Sequence, residues 1–126
     1  MNTTVLIVDD SATVRQQVGI VLTQSGFKVE HACDGIEGVL RIQSGGIDCV
    51  ICDVNMPNMN GLELVEAVKS CQEYSKLPII MLTTEGAKEL ILRAKKAGAS
   101  GWIVKPFKAD LLVAAVQKLT ASTVAV

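Results

Sequence analysis

Five polar side chains follow four short apolar runs in this sequence. Val5-Leu6-Ile7-Val8 leads into Asp9-Asp10, and Cys49-Val50-Ile51-Cys52 leads into Asp53. Ile79-Ile80-Met81-Leu82 leads into Thr83, and Trp102-Ile103-Val104 leads into Lys105. If the runs are strands of one parallel sheet, all five side chains meet in one crevice at its carboxyl edge, where such sheets bind ligands. Three carboxylates crowded there repel one another unless one holds a proton or a cation joins them. Mg2+ is such a cation, because it takes oxygen ligands and keeps several waters. The Lys105 ammonium offsets the carboxylates and can bind a phosphoryl oxygen, and Thr83 offers a hydroxyl donor. Phosphoryl transfer asks of a protein mainly positioning and charge stabilisation, and Asp is a nucleophile that forms aspartyl phosphate. The set therefore points to a phosphoryl group accepted on a carboxylate. The plainer alternative is an acidic rim with no specific ion, and Thr83 alone could simply cap a helix.

The elements that must position these residues alternate along the chain. Ser11 is placed to cap a helix whose apolar residues Val14, Val18, Val21 and Leu22 recur at helical spacing. Gly26 closes that helix. A weaker strand covers about 28–33, Asp34-Gly35 reads as a turn, and a second helix carries Ile36, Val39, Leu40 and Ile42 up to Gly45-Gly46. The third strand, 48–53, is apolar on both faces, as a central strand covered by helices must be. A loop, 55–61, leads to a third helix with Leu62, Leu64, Val65 and Val68; a turn role is expected for Asn60-Gly61. Pro78 opens the fourth strand, a fourth helix spans about 87–97, the fifth strand 101–105, and a fifth helix carries Leu111, Leu112, Ala115, Val116 and Leu119. Such a (βα)5 chain forms a doubly wound α/β fold, with a five-stranded parallel sheet between helices on both faces.

The bulk numbers set limits. The chain has 126 residues, is 49% hydrophobic but only 3% aromatic, and has a mean hydropathy of +0.38. It is read as one domain spanning 1–126, with an aliphatic core and no output domain after the last helix. A formal charge of -1 argues against nucleic-acid binding. No apolar run approaches the ~20 residues of a membrane span, and no export signal is evident, so the expected location is the cytoplasm. Cys49 and Cys52 have CxxC spacing. Three positions apart in a strand they face opposite ways, so they are read as buried small hydrophobes rather than a metal or redox pair. His31, the one histidine, is read as a surface residue of the second strand.

Four motifs resemble the receiver domain of bacterial response regulators, most closely the single-domain chemotaxis (CheY-like) type. They are Val8-Asp9-Asp10-Ser11, the stretch from Asp53 through Asn55-Met56-Pro57 to Gly61, Leu82-Thr83-Thr84-Glu85, and Lys105-Pro106-Phe107. The resemblance covers essentially the whole chain. It implies a flavodoxin-like sheet in the order 2-1-3-4-5. It implies Asp53 as phosphoacceptor, and a Mg2+ site of Asp10, Asp53 and the Asn55 carbonyl, with Asp9 acting through metal-bound water. Thr83 resembles the switch hydroxyl, Lys105 the phosphoryl-binding cation, and Trp102 the aromatic switch. Asn55 and Glu85 correspond to positions that set phosphoryl lifetime, and a cis Lys105–Pro106 bond is expected. The implied partners are a histidine kinase that donates the phosphoryl group and a downstream target. That target would bind a face made by the fourth helix, fifth strand and fifth helix. A phosphatase is a further partner. The implied protein is a monomeric phosphorelay switch rather than a turnover enzyme, supporting only its own phosphotransfer and slow autodephosphorylation.

Departures and competitors stay in view. Trp102 stands where Tyr or Phe is usual, Thr84 where many relatives have Ala, and Asn60 where Asp is frequent. Lys88, Arg93, Lys95 and Lys96 make the fourth helix basic, and Ile91 and Leu92 widen its apolar arc; this is a partner surface or a solvated face. An aspartate-nucleophile phosphatase shares Asp and Mg2+ but expects a second Asp where Asn55 stands. A flavin carrier on the same fold needs a hydroxyl- and glycine-rich phosphate loop, which Asp9-Asp10 would repel. A receiver in a phosphorelay outside chemotaxis is the nearest alternative.

Overall fold

The computed structural model describes residues 3–124. Residues 1, 2, 125 and 126 of the expected domain lie outside that range. The strands are β1 (Thr4–Val8), β2 (Lys28–Ala32), β3 (Cys49–Cys52), β4 (Ile79–Thr83) and β5 (Gly101–Val104). The helices are α1 (Ala12–Gln24), α2 (Gly35–Gln43), α3 (Gly61–Lys69), α4 (Lys88–Ala97) and α5 (Ala109–Val124), with one 3-10 turn at Gln72–Tyr74. All pairings are parallel, in the order β2-β1-β3-β4-β5. The expected fold and strand order are both present. The order reverses beside β1, so a crevice opens between the ends of β1 and β3, where the chain crosses to opposite faces.

Each face of the sheet buries its own aliphatic cluster. Leu6, Val8, Val50, Cys52, Ile79 and Met81 point to the face covered by α2, α3 and α4, through Ile42, Leu64, Val65 and Ala94. Val5, Ile7, Cys49, Ile51, Ile80 and Leu82 point to the other, against Val18 and Leu22 of α1 and Leu112 and Val116 of α5. Cys49 and Cys52 thus lie on opposite faces, and both are buried free thiols. Burial pushes the Cys49 thiol up to about 12, so it is an unreactive core residue. His31 is exposed on β2, as expected.

Local signals fix the helix ends. The Ser11 hydroxyl accepts from the Val14 amide at 3.3 Å, and Gly98 ends α4 in the left-handed region at φ 110. Two expected turns prove to be helix caps. Asp34 accepts from Glu37 N at 2.8 Å to start α2. Asn60 and Glu63 form a reciprocal capping box at 2.9 and 3.0 Å to start α3. Asn and Asp serve turns and caps by the same side-chain acceptor, so the dipeptides alone do not separate the two roles.

Candidate functional site

The site is assembled by strand register. Val8 pairs with Cys52, so Asp9 and Asp53 leave adjacent strands side by side, and Asp53 N donates to Val8 O at 2.9 Å. Thr83 pairs with Val104, and Lys105 N donates to Thr83 O at 2.8 Å, which brings the last two residues to the same edge. Asp9, Asp53 and Thr83 are buried there, while Asp10 is exposed.

Lys105 bridges the crevice, donating to Asp9 Oδ2 at 2.9 Å and Asp53 Oδ2 at 3.3 Å. The remaining oxygens are held by backbone: Ser11 N donates to Asp9 Oδ1 at 2.9 Å, and Val54 N to Asp53 Oδ1 at 2.7 Å. Burial works against the Lys105 ammonium, but its hydrogen bond to Asp9 and the charges of Asp53 and Asp9 outweigh it and raise its pKa. The lysine is charged in the resting site. The Cys52 thiol, which donates to the Asp53 carbonyl at 3.2 Å, is pushed upward first by burial and then by the charges of Asp53 and Asp9.

Carboxylate oxygens of Asp9, Asp10 and Asp53 all lie within 4.8 Å of one another. Three anions face one ammonium, which leaves two negative charges uncompensated in a largely buried crevice. Hard oxygen donors with surplus negative charge suit a hard divalent cation. The Asp10 carboxylate has no hydrogen-bond partner among the described residues.

Glu85 ties the far wall together. Its carboxylate accepts from Asn55 Nδ2 at 3.0 Å, its amide donates to Thr83 Oγ1 at 3.3 Å, and its carbonyl accepts from Trp102 Nε1 at 2.8 Å. Trp102 is half-buried and packs against the cluster on the α2–α4 face. The indole N–H, which Tyr and Phe lack, thus links β5 to the β4–α4 loop. The Lys105–Pro106 peptide is cis, as expected. On α4, Lys88, Lys95 and Lys96 are exposed, as is Leu92, but Arg93 is committed to a bidentate pair with Glu66 of α3, both contacts at 2.9 Å. The basic face is therefore narrower than its sequence implies.

Two contributors have contacts that the sequence reading does not include. Arg15 Nη1 of α1 donates to the Asp9 carbonyl at 2.5 Å. Its signal is spacing: it stands one turn after the Ser11 cap, over the β1–α1 loop. Gly61 is the second. A Cβ there would lie 2.0 Å from the Asp53 carbonyl oxygen, so only glycine lets α3 start against the Asp53 backbone. Gly61→Ala is expected to cost about 3 kcal/mol in urea unfolding, because the obstacle is backbone that cannot rotate aside.

The sequence matches the family model described as the response regulator receiver domain over residues 5–117. It is 38% identical over 119 residues to chemotaxis protein CheY-3 of Vibrio cholerae, covering 94% of this chain and 92% of that one. It is 36% identical over 116 residues to chemotaxis protein CheY of Pseudomonas aeruginosa, covering 91% and 94%. Among solved structures, CheY4 of Vibrio cholerae superposes with a TM-score of 0.88 at 43% identity, covering 94% of this chain and 99% of that one. A CheY-like receiver domain protein of Methanospirillum hungatei gives 0.90 at 25% identity, covering 97% and 96%. With this strand order and this cluster at the switch point, the chain belongs to the response regulator receiver family and is a two-component response regulator.

Proposed function

We propose that Asp53 accepts a phosphoryl group from a phosphohistidine of a histidine kinase, and that the modified protein changes its affinity for a target in a chemotaxis pathway. One observation carries the reading: Lys105 spans Asp9 and Asp53 at 2.9 and 3.3 Å within a cluster of three carboxylates. Asp53 Oδ2 is the attacking oxygen. The phosphorus–nitrogen bond breaks, and the electron pair leaves with the imidazole. Lys105 then exchanges its contact with Asp53 for a phosphoryl oxygen, and the Thr83 hydroxyl donates to another. Asp10, Asp53 and the Asn55 carbonyl are the residues to hold Mg2+, with Asp9 behind a water. When bound, the ion supplies positive charge that offsets the carboxylates and the incoming phosphoryl oxygens.

In this reading residues 1–126 act as one receiver domain that changes affinity for a partner and does not turn over substrate. Movement of Thr83 toward the phosphoryl group breaks its contact with Glu85 N. Through Glu85 that change reaches Trp102 and the face of α4, β5 and α5, where Leu92 and Leu111 are exposed for a target. Four free cysteines fit the reducing cytoplasm in which such a kinase would act. The names of the Vibrio and Pseudomonas relatives favour chemotaxis over another phosphorelay. A Mg2+-dependent aspartyl phosphatase is disfavoured because Asn55, bonded to Glu85, offers no acidic proton to a leaving group.

Acetyl phosphate with and without Mg2+, followed by intact mass, tests the reading. One adduct that needs the metal is expected; no adduct under either condition defeats it. In this reading the exposed Asn55–Glu85 bridge, 3.0 Å long, limits attack by water on the phosphoryl group. Asn55→Ala or Glu85→Ala is therefore expected to shorten the life of the phosphoprotein severalfold in a chase experiment, and unchanged decay removes that role.

A further inference from the structure

Asp9 and Asp53 each have both carboxylate oxygens fixed, by a backbone amide on one side and Lys105 on the other. Asp10 differs. Its carboxylate is exposed and has no partner among the described residues, so its position depends on the backbone that carries it. That backbone is the Asp9–Asp10 peptide. Its carbonyl end accepts from the Arg15 guanidinium at 2.5 Å, and Arg15 is half-buried on α1, with its own amide bonded to Ser11 O at 3.1 Å.

On the reading that Asp9, Asp10 and Asp53 are the metal-holding set, we infer that Arg15 is a positioning residue for Mg2+, acting by clamping the Asp9–Asp10 peptide so that Asp10 is aimed at Asp53. A charge-assisted bond to a carbonyl is stronger than a neutral one. It also fixes the peptide plane, from which the Asp10 Cα and side chain depart. The partner of the guanidinium is the Asp9 carbonyl and not a carboxylate of the cluster, so Arg15 acts on the ligand through the backbone.

The sign of the effect separates this role from simple electrostatics. A guanidinium near a divalent ion repels it, so losing that charge alone would tighten Mg2+ binding. Losing the clamp weakens it, as removal of a group that orients a metal ligand does. Mg2+ titration of the full chain by calorimetry decides between them. Arg15→Gln is expected to raise the dissociation constant about tenfold. Arg15→Lys, which keeps the charge and one donor but not the fork, is expected to fall between the two, and it supplies the test if the glutamine variant does not fold. Because Arg15 acts through Asp10, Arg15→Gln should add little once Asp10→Asn is present. Unchanged or tighter binding in Arg15→Gln, or full additivity in the cycle, overturns the role. A parent protein that binds no Mg2+ overturns the metal set itself, a failure seen before any change at Arg15.

Discussion

Replacing Asp53 with Asn is expected to abolish the phosphoryl adduct while leaving the protein folded. The amide has no ionised oxygen to attack phosphorus, and no neighbour can take over. Asp9 is more buried than Asp53, 3% exposed against 8%, and holds the shorter Lys105 contact, 2.9 against 3.3 Å. Asp10 is exposed at the rim. The fold tolerates the change because the amide oxygen can still accept from Val54 N, now at 2.7 Å from Oδ1. Lys105 keeps its shorter contact, to Asp9 at 2.9 Å. Removing one of three clustered anions also relieves repulsion, which offsets the weaker bond, so stability should change by no more than about 1 kcal/mol. Mg2+ should bind more weakly, because the surplus negative charge in the crevice is halved. Intact mass after acetyl phosphate treatment, paired with thermal unfolding, reads both effects. An adduct that survives in Asp53→Asn would move the acceptor elsewhere.

The polar carboxyl edge was legible in the sequence because strand register is rigid. A residue one step past an apolar run must emerge at the sheet edge, and parallel pairing brings Asp9, Asp53, Thr83 and Lys105 together without help from distant packing. The faces of Cys49 and Cys52 followed from the same alternation. What the pattern could not give was the identity of contacts made by loops. Asn60 and Asp34 carry the same chemistry in a turn as in a cap, so their roles waited on the backbone. Gly61 reads as a turn glycine, and its close approach to the Asp53 carbonyl depends on how α3 meets the end of β3. Trp102 stands out in the sequence, but that its indole reaches the Glu85 carbonyl depends on where the β4–α4 loop settles. Arg93 looked like part of a basic face because its partner Glu66 lies on a different helix, 27 residues away.

Lys105→Met should separate the contacts Lys105 makes in the resting site from the phosphoryl-receiving role proposed for it. Methionine retains an unbranched stem of similar reach and carries no charge. Without the ammonium, Asp9 and Asp53 face each other in a buried crevice with only backbone amides as partners. Breaking a buried pair by removing one member leaves an uncompensated charge and costs about 3 kcal/mol. For a chain of this length that lowers the melting temperature in EDTA by about 10 °C. Mg2+ then becomes the only cation available to the carboxylates, and it no longer competes with a resident one. Its binding should tighten, and by linkage the rise in melting temperature on adding Mg2+ should be larger in the variant than in the parent. Phosphorylation should still become slower, because the metal restores charge balance among the carboxylates but supplies no donor where the ammonium met the incoming oxygens. The two curves therefore move in opposite directions: stability is recovered with Mg2+ while the adduct yield stays low. A variant as stable as the parent in EDTA, or one with no larger gain from Mg2+, would mean that Lys105 does not balance the acidic cluster. The 2.9 and 3.3 Å contacts would then be incidental to it.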